Sequence, residues 1–141
     1  MKNLEAYLAR AKELRAIVTP HYNCAQSVLL PFAEDFGMSE ADVMRIAVHF
    51  GGGMKMGAVC GAVTGGLMAL GLAGLEDPKI ANTFCRRIRD NHEGMLDCRD
   101  LLSANAKLGR EKKPHCDALV YEAVEAVWEM LRDSQETRPC G

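Results

Sequence analysis

The sequence predicts an all-α fold, a compact single-domain bundle of six or seven helices packed around a central helix rich in glycine and alanine. Apolar residues recur at the 3.6-residue spacing of a helix face along nearly the whole chain, and no segment alternates apolar and polar residues as a half-buried strand does. Cap and breaker residues punctuate the chain at helix-length intervals. A length of 141 residues suits one domain, residues 1–141, and supports a real core without disulfide staples.

Residues 3–18 carry Leu4, Leu8, Ala11 and Leu14 near a 3.6-residue period, and Thr19-Pro20 ends that helix because a pre-proline residue avoids the α region. Asn23 is an N-cap residue type, so Cys24 becomes the first residue of a second helix running to about Phe36, with Gly37 as its stop. Pro31 lies inside it and should kink or break it. Ser39 and Asp42 form a capping-box pattern for a short helix that turns Val43, Ile46, Ala47 and Phe50 inward and ends at Gly51-Gly52-Gly53. Residues 58–74 form the glycine- and alanine-rich helix. Asp77-Pro78 starts another, ending near His92 and Gly94. Asp97 can cap a short helix from Cys98, residues 107–113 form a charged loop, and Pro114 opens the last helix. There Leu119, Val120, Ala123, Val127 and Leu131 share a face with Cys116, while Glu122, Glu125 and Glu129 face water. The tail, 134–141, is expected to fray.

Net charge is −2, which gives no electrostatic basis for nucleic acid as a partner; the basic run around Lys107, Arg110, Lys112 and Lys113 reads as a solvated loop. The N-terminal residues mix charges of both signs with no apolar block, unlike a secretory signal. The expected compartment is the cytoplasm, where thiols stay reduced and cysteines serve metal or redox chemistry more often than disulfide scaffolds. Residues 56–75 carry no charge, about the length of a bilayer span, but their glycine and alanine content and the lack of a basic flank or aromatic belt favour a buried central helix over a membrane segment. No serine–histidine–acid set, paired carboxylates or phosphate-binding glycine loop emerges, so no substrate site is predicted.

The chemistry lies in the cysteines. Of six, Cys24, Cys60, Cys98 and Cys116 each fall where a helix is expected to begin. A helix start presents unpaired N–H groups and a positive dipole end, which favour thiolate, the form that binds metal and does redox chemistry. Cys85, mid-helix, and Cys140, in the tail, read as bystanders. Buried free cysteines also serve as small hydrophobes, and the wide intervals between the four match no compact metal motif. Gly57, Gly61 and Gly65 recur at four-residue steps, giving a face without side chains that suits close helix packing or room for a cofactor beside Cys60. His21 and His115 lie near cysteines, and His49 precedes the glycine run, so mixed Cys/His zinc ligation stays open.

The elements N-C-A-Q-S-V (23–28), F-G-G-G (50–53) and C-G-A-V-T-G (60–65), followed by Cys98 with R-D-L-L and by Cys116 before an alanine-rich helix, resemble the redox-active family named for the pattern C_GCAxxG_C_C. The same elements are similar to the C-terminal part of the split-Soret cytochromes c. The likeness spans about residues 15–132 and places Cys24, Cys60, Cys98 and Cys116 in the family's four cysteine positions, with Gly61, Ala62 and Gly65 around the second. It implies a redox role with an iron–sulfur cluster on those four cysteines. Gly51, Gly52, Gly53 and Gly61 are expected beside the cofactor, and Cys24 and Cys60 are the expected pair should the chemistry be metal-free thiol–disulfide exchange. The remaining readings are a structural zinc site in a helical interaction module and a small helical interaction protein whose cysteines are core filler. An electron-transfer role calls for a redox partner protein; self-association stays open.

Overall fold

The computed structural model describes residues 1–137. Among them the chain forms seven α-helices: α1 (Leu4–Ala16), α2 (Cys24–Ala33), α3 (Glu40–Ile46), α4 (Gly61–Leu72), α5 (Pro78–Asn91), α6 (Cys98–Lys107) and α7 (Lys112–Thr137). A 3₁₀ turn at Val48–Phe50 and a wide turn at Gly53–Gly57 join α3 to α4. The fold is all-α, as the periodicity predicts.

Local chemistry sets most boundaries. Asn3 caps α1, Ser39 caps α3 and Asp77 caps α5, each accepting a hydrogen bond from a first-turn N–H. Asn23 caps α2 in a reciprocal box: its side chain accepts from Gln26 N (2.8 Å), and Gln26 Oε1 accepts from Asn23 N (2.8 Å). α2 ends at Ala33, earlier than expected and two residues past Pro31, where Asp35 N and Phe36 N turn to the carbonyls three residues back, Phe32 O and Ala33 O. The turn that follows closes at Gly37, whose φ of +84° suits glycine.

One continuous hydrophobic core runs through the molecule. α2, buried along nearly its whole length, packs mainly on α4, and α7 covers α1, α2 and α4. Tyr7 stacks on Phe32 with ring centroids 4.5 Å apart, and the Tyr7 hydroxyl donates to Asp35. Trp128 Nε1 donates to Lys2 O at 3.0 Å, tying the chain start to α7. No helix among the described residues is long and apolar enough to cross a membrane.

Several expectations are corrected. Ile46 is 48% exposed, so only Val43 and Ala47 of the short helix are fully inside. Gly57 is not on the α4 face: it lies in the preceding turn with φ +72°. Glu122 and Glu129 do not simply face water, for they pair with His92 and Arg87. α7 starts at Lys112, not at Pro114, and continues to Thr137 through the stretch expected to fray; residues 138–141, with Cys140, lie outside the described residues.

Candidate functional site

Cys24, Cys60, Cys98 and Cys116 all line one cavity of about 670 Å³. Each arrives on a different element. Cys24 is the first residue of α2, Cys60 is the N-cap of α4, and Cys98 is the first residue of α6. Cys116 lies beyond the first turn of α7, so it is not at a helix start as the sequence suggests.

Small residues bring α4 onto α2. A Cβ on Gly65 would meet the Ala25 carbonyl oxygen at 2.5 Å, and one on Gly61 would meet Phe50 O at 2.8 Å and Cys24 Cβ at 3.2 Å. Only glycine permits that approach, which sets Cys60 beside Cys24. A short antiparallel bridge, Val59 with Asp97, then delivers Cys98. Cys60 N donates to Leu96 O (2.9 Å) and Cys98 N donates to Ala58 O (2.7 Å), pinning the start of α6 to the start of α4. On the other side, Asn23 Nδ2 donates to Ala47 O (3.1 Å) and Val48 O (3.3 Å) and Gln26 Nε2 donates to Met44 O (2.9 Å), so the cap of Cys24 also anchors the glycine run. Arg15 closes the last side: its Nη1 donates to Tyr22 O (2.9 Å) and its Nε to Asp117 Oδ1 (2.7 Å), one residue after Cys116.

The thiols differ sharply. The Cys24 thiolate is favoured because the Cys116 thiol is its hydrogen-bond partner and the Arg15 guanidinium lies near, which together outweigh burial. Cys116 is raised by the same hydrogen bond, with burial adding to it. Burial pushes the Cys60 thiol up to about 11, despite hydrogen bonds from the Ala62 and Val63 backbone. Cys98 is raised by burial and by Cys116. A helix start therefore does not by itself yield a thiolate here; desolvation wins except where a second thiol and a cation act together. Cys24 and Cys60, the expected metal-free pair, both line the cavity, and the largest influence on Cys24 comes from Cys116. All five described cysteines are free.

Of the expected cofactor glycines, Gly51, Gly52 and Gly61 line the cavity, and Gly53 does not. Gly53 instead packs against Ala58, where a Cβ would meet the carbonyl oxygen at 2.3 Å. His21 and His115 line the cavity and His49 does not. His92 sits at the end of α5, where its Nε2 meets the Glu122 carboxylate at 2.9 Å. Cys85 is on α5, away from the cavity. Among the described residues no three His, Cys, Asp or Glu side chains are gathered closely enough to hold one metal ion. A larger depression of about 1130 Å³ between α5, α6 and α7 is lined by no cysteine among the described residues and mixes charges of both signs.

Sequence reading missed three contributors. Arg15 looked like any charge on an amphipathic helix. Lys55 reaches the cavity from a left-handed turn in which Gly52, Gly53, Met54 and Lys55 have φ of 63°, 63°, 58° and 60°; Met and Lys give no local hint of that conformation. Lys112, read as solvated loop, begins α7 and lines the cavity. A cation there opposes the helix dipole, a conflict that appears only once the start of α7 is known.

Fold and site together define an all-α protein with four cysteines around one electropositive cavity. Residues 22–130 match the family model described as Putative redox-active protein (C_GCAxxG_C_C), and the chain belongs to that family. No curated protein and no solved structure matches it. In this chain the two glycines of C-G-A-V-T-G (60–65) allow α4 to seat against the start of α2, and Ala62 between them is buried.

Proposed function

We propose that Cys24, Cys60, Cys98 and Cys116 form a redox centre that holds an iron–sulfur cluster, [2Fe–2S] or [4Fe–4S], for electron transfer. One observation carries the reading: four elements far apart in sequence each deliver a cysteine to the same cavity, and among the described residues no carboxylate lines it. The donor set fits the group. Four thiolates around iron and sulfide carry net negative charge, and Arg15, Lys55, Lys112 and Lys113 surround that space with positive charge. Bound there, the cluster would take up and release single electrons. The chain's own residues hold the ligands in place: Asn23 orients Cys24, the Val59–Asp97 bridge orients Cys98, and Leu101 and Leu119, 2% and 4% exposed, exclude water from the cavity wall. A single zinc ion suits the site less well, since zinc draws four ligands to about 2.0–2.3 Å and the cysteines here stand around a cavity instead. Free cysteines accord with a reducing compartment such as the cytoplasm. Anaerobic purification followed by iron and acid-labile sulfide assay tests the cluster. Stoichiometric iron and sulfide, with visible absorption bleached by dithionite, is expected; colourless, iron-free protein under those conditions overturns it.

A second reading is favoured by a specific observation: Cys24 and Cys116 line the same cavity, and each is the largest influence on the other's ionisation. In metal-free protein the two would cycle between dithiol and disulfide, Cys24 attacking and Cys116 resolving. Mild oxidation of the anaerobic apoprotein should lower the thiol count by two; a count that holds steady sinks this reading.

A further inference from the structure

The charge around the cavity is one-sided in a chain whose net charge is −2. Among the described residues no Asp or Glu lines it, whereas Arg15, Lys55, Lys112 and Lys113 do. Two of those cations are already engaged: Arg15 and Lys113 both pair with Asp117, at 2.7 Å and 3.0 Å. Lys55 and Lys112 have no ion-pair or hydrogen-bond partner among the described residues. They reach the cavity from different elements, Lys55 from the left-handed turn and Lys112 from the first residue of α7. Both placements work against local stability, one through positive φ on a non-glycine residue and the other through a cation at a helix N-terminus. Such conflicts concentrate where a position serves a ligand.

We propose that the cavity admits a small carboxylate-bearing disulfide, with Lys55 and Lys112 as its carboxylate contacts and the Cys24–Cys116 pair as its reductant. The proposal rests on the dithiol reading above and names its oxidant. Cys24 Sγ, as thiolate, attacks one sulfur of the disulfide; that S–S bond breaks, a mixed disulfide forms on Cys24, and the first thiolate leaves. Cys116 gives its proton to the departing thiolate and attacks Cys24 Sγ. The mixed bond breaks, a Cys24–Cys116 disulfide forms, and the second thiolate leaves to take a proton from water. Two electrons pass from the cysteine pair to the reagent, one disulfide being reduced and one made.

The test uses anaerobic apoprotein carrying Cys85→Ser and Cys140→Ser, so that only cavity thiols count. Three disulfides are compared: oxidised glutathione (anionic), hydroxyethyl disulfide (neutral) and cystamine (cationic). Their rates of protein thiol loss are normalised to the rates at which free cysteine reacts with each. The expected result is a preference for the anionic reagent, weakening with salt. In Lys55→Asn/Lys112→Gln the ratio of the anionic to the neutral rate should fall on the order of tenfold. Asn tolerates the positive φ at 55 and Gln relieves the dipole conflict at 112, so the variant folds. Equal normalised rates, or a preference untouched by the double substitution, overturn the anionic substrate while a loss of two thiols keeps the dithiol reading. A thiol count that never falls with any reagent overturns both.

Discussion

Two glycines on α4 show how strictly single residues are held. At Gly65 an added Cβ would lie 2.5 Å from Ala25 O and 2.9 Å from its Cα, both backbone atoms that cannot swing aside. Gly65→Ala should therefore destabilise by about 1–3 kcal/mol and push Cys60 away from Cys24. Gly71 sits near the exposed end of the same helix with nothing within 4 Å of the added Cβ, so Gly71→Ala should stabilise by about 0.4–1 kcal/mol through the unfolded chain. Urea unfolding of the two variants reads opposite signs, and equal signs would refute the packing account. The thiols give a residue-scale pH prediction as well. Cys24 is held below the ordinary thiol range by its hydrogen bond to Cys116, helped by Arg15. A lowered pKa means its alkylation by iodoacetamide should reach half its maximal rate at a pH below that of a free thiol. Cys116→Ala removes the hydrogen bond and leaves burial, so the midpoint should move upward. Cys60, raised to about 11 by burial, should stay unreactive until strongly alkaline pH. Peptide mapping of alkylation against pH checks all three; Cys60 reacting ahead of Cys24 would contradict the assigned environments.

At the scale of elements, the start of α2 is the joint on which the site turns. Asn23 is 7% exposed. It caps α2 and donates to Ala47 O and Val48 O, so it links the Cys24 helix to the segment that carries the glycine run. Asn23→Ala loses a cap worth about 0.5–2 kcal/mol and leaves two carbonyl oxygens short of a donor, at about 1–3 kcal/mol for a buried group. A loss of about 2–4 kcal/mol in urea unfolding is expected, larger than Ser39→Ala, where the cap bond is exposed and single. Equal effects at the two caps would mean that Asn23 does no more than cap. These elements also mark how far the sequence could be read. Asn23, Ser39 and Asp77 announced their helices because capping is a local interaction between residues two or three apart. The glycines of α4 announced close packing because a repeat at helical spacing needs no partner to be seen. The Val59–Asp97 bridge left no trace, since two single residues carry no alternation, and the left-handed turn through the exposed Met54 and Lys55 is closed by a backbone bond, Ala58 N to Gly53 O, that their side chains do not encode. The start of α7 was misplaced because Pro114 suits several first-turn positions, and here it is the third helical residue.

For the molecule as a whole, the four-cysteine cavity makes the two redox readings separable by one series of variants. A cluster shared by four ligands is a property of the set, so replacing any one of Cys24, Cys60, Cys98 or Cys116 by serine should lower iron and sulfide together after anaerobic reconstitution. A dithiol is a property of a pair, so Cys24→Ser and Cys116→Ser should abolish the two-thiol loss while Cys60→Ser and Cys98→Ser leave it in place. Cys85→Ser, half-buried on α5 and outside the cavity, is the common control and should change neither readout. Cys60 is the most exacting member because it is 5% exposed and belongs to the hydrophobic core; a serine hydroxyl there lacks the packing of a thiol, so circular dichroism and unfolding must accompany its iron assay. Cys98 is partly accessible at the start of α6 and tests the same point with less risk to the fold. If Cys98→Ser keeps full iron and sulfide while folded, four-fold ligation fails. If it loses both while still forming the Cys24–Cys116 disulfide as apoprotein, the cavity supports both chemistries, and the occupant decides which one operates.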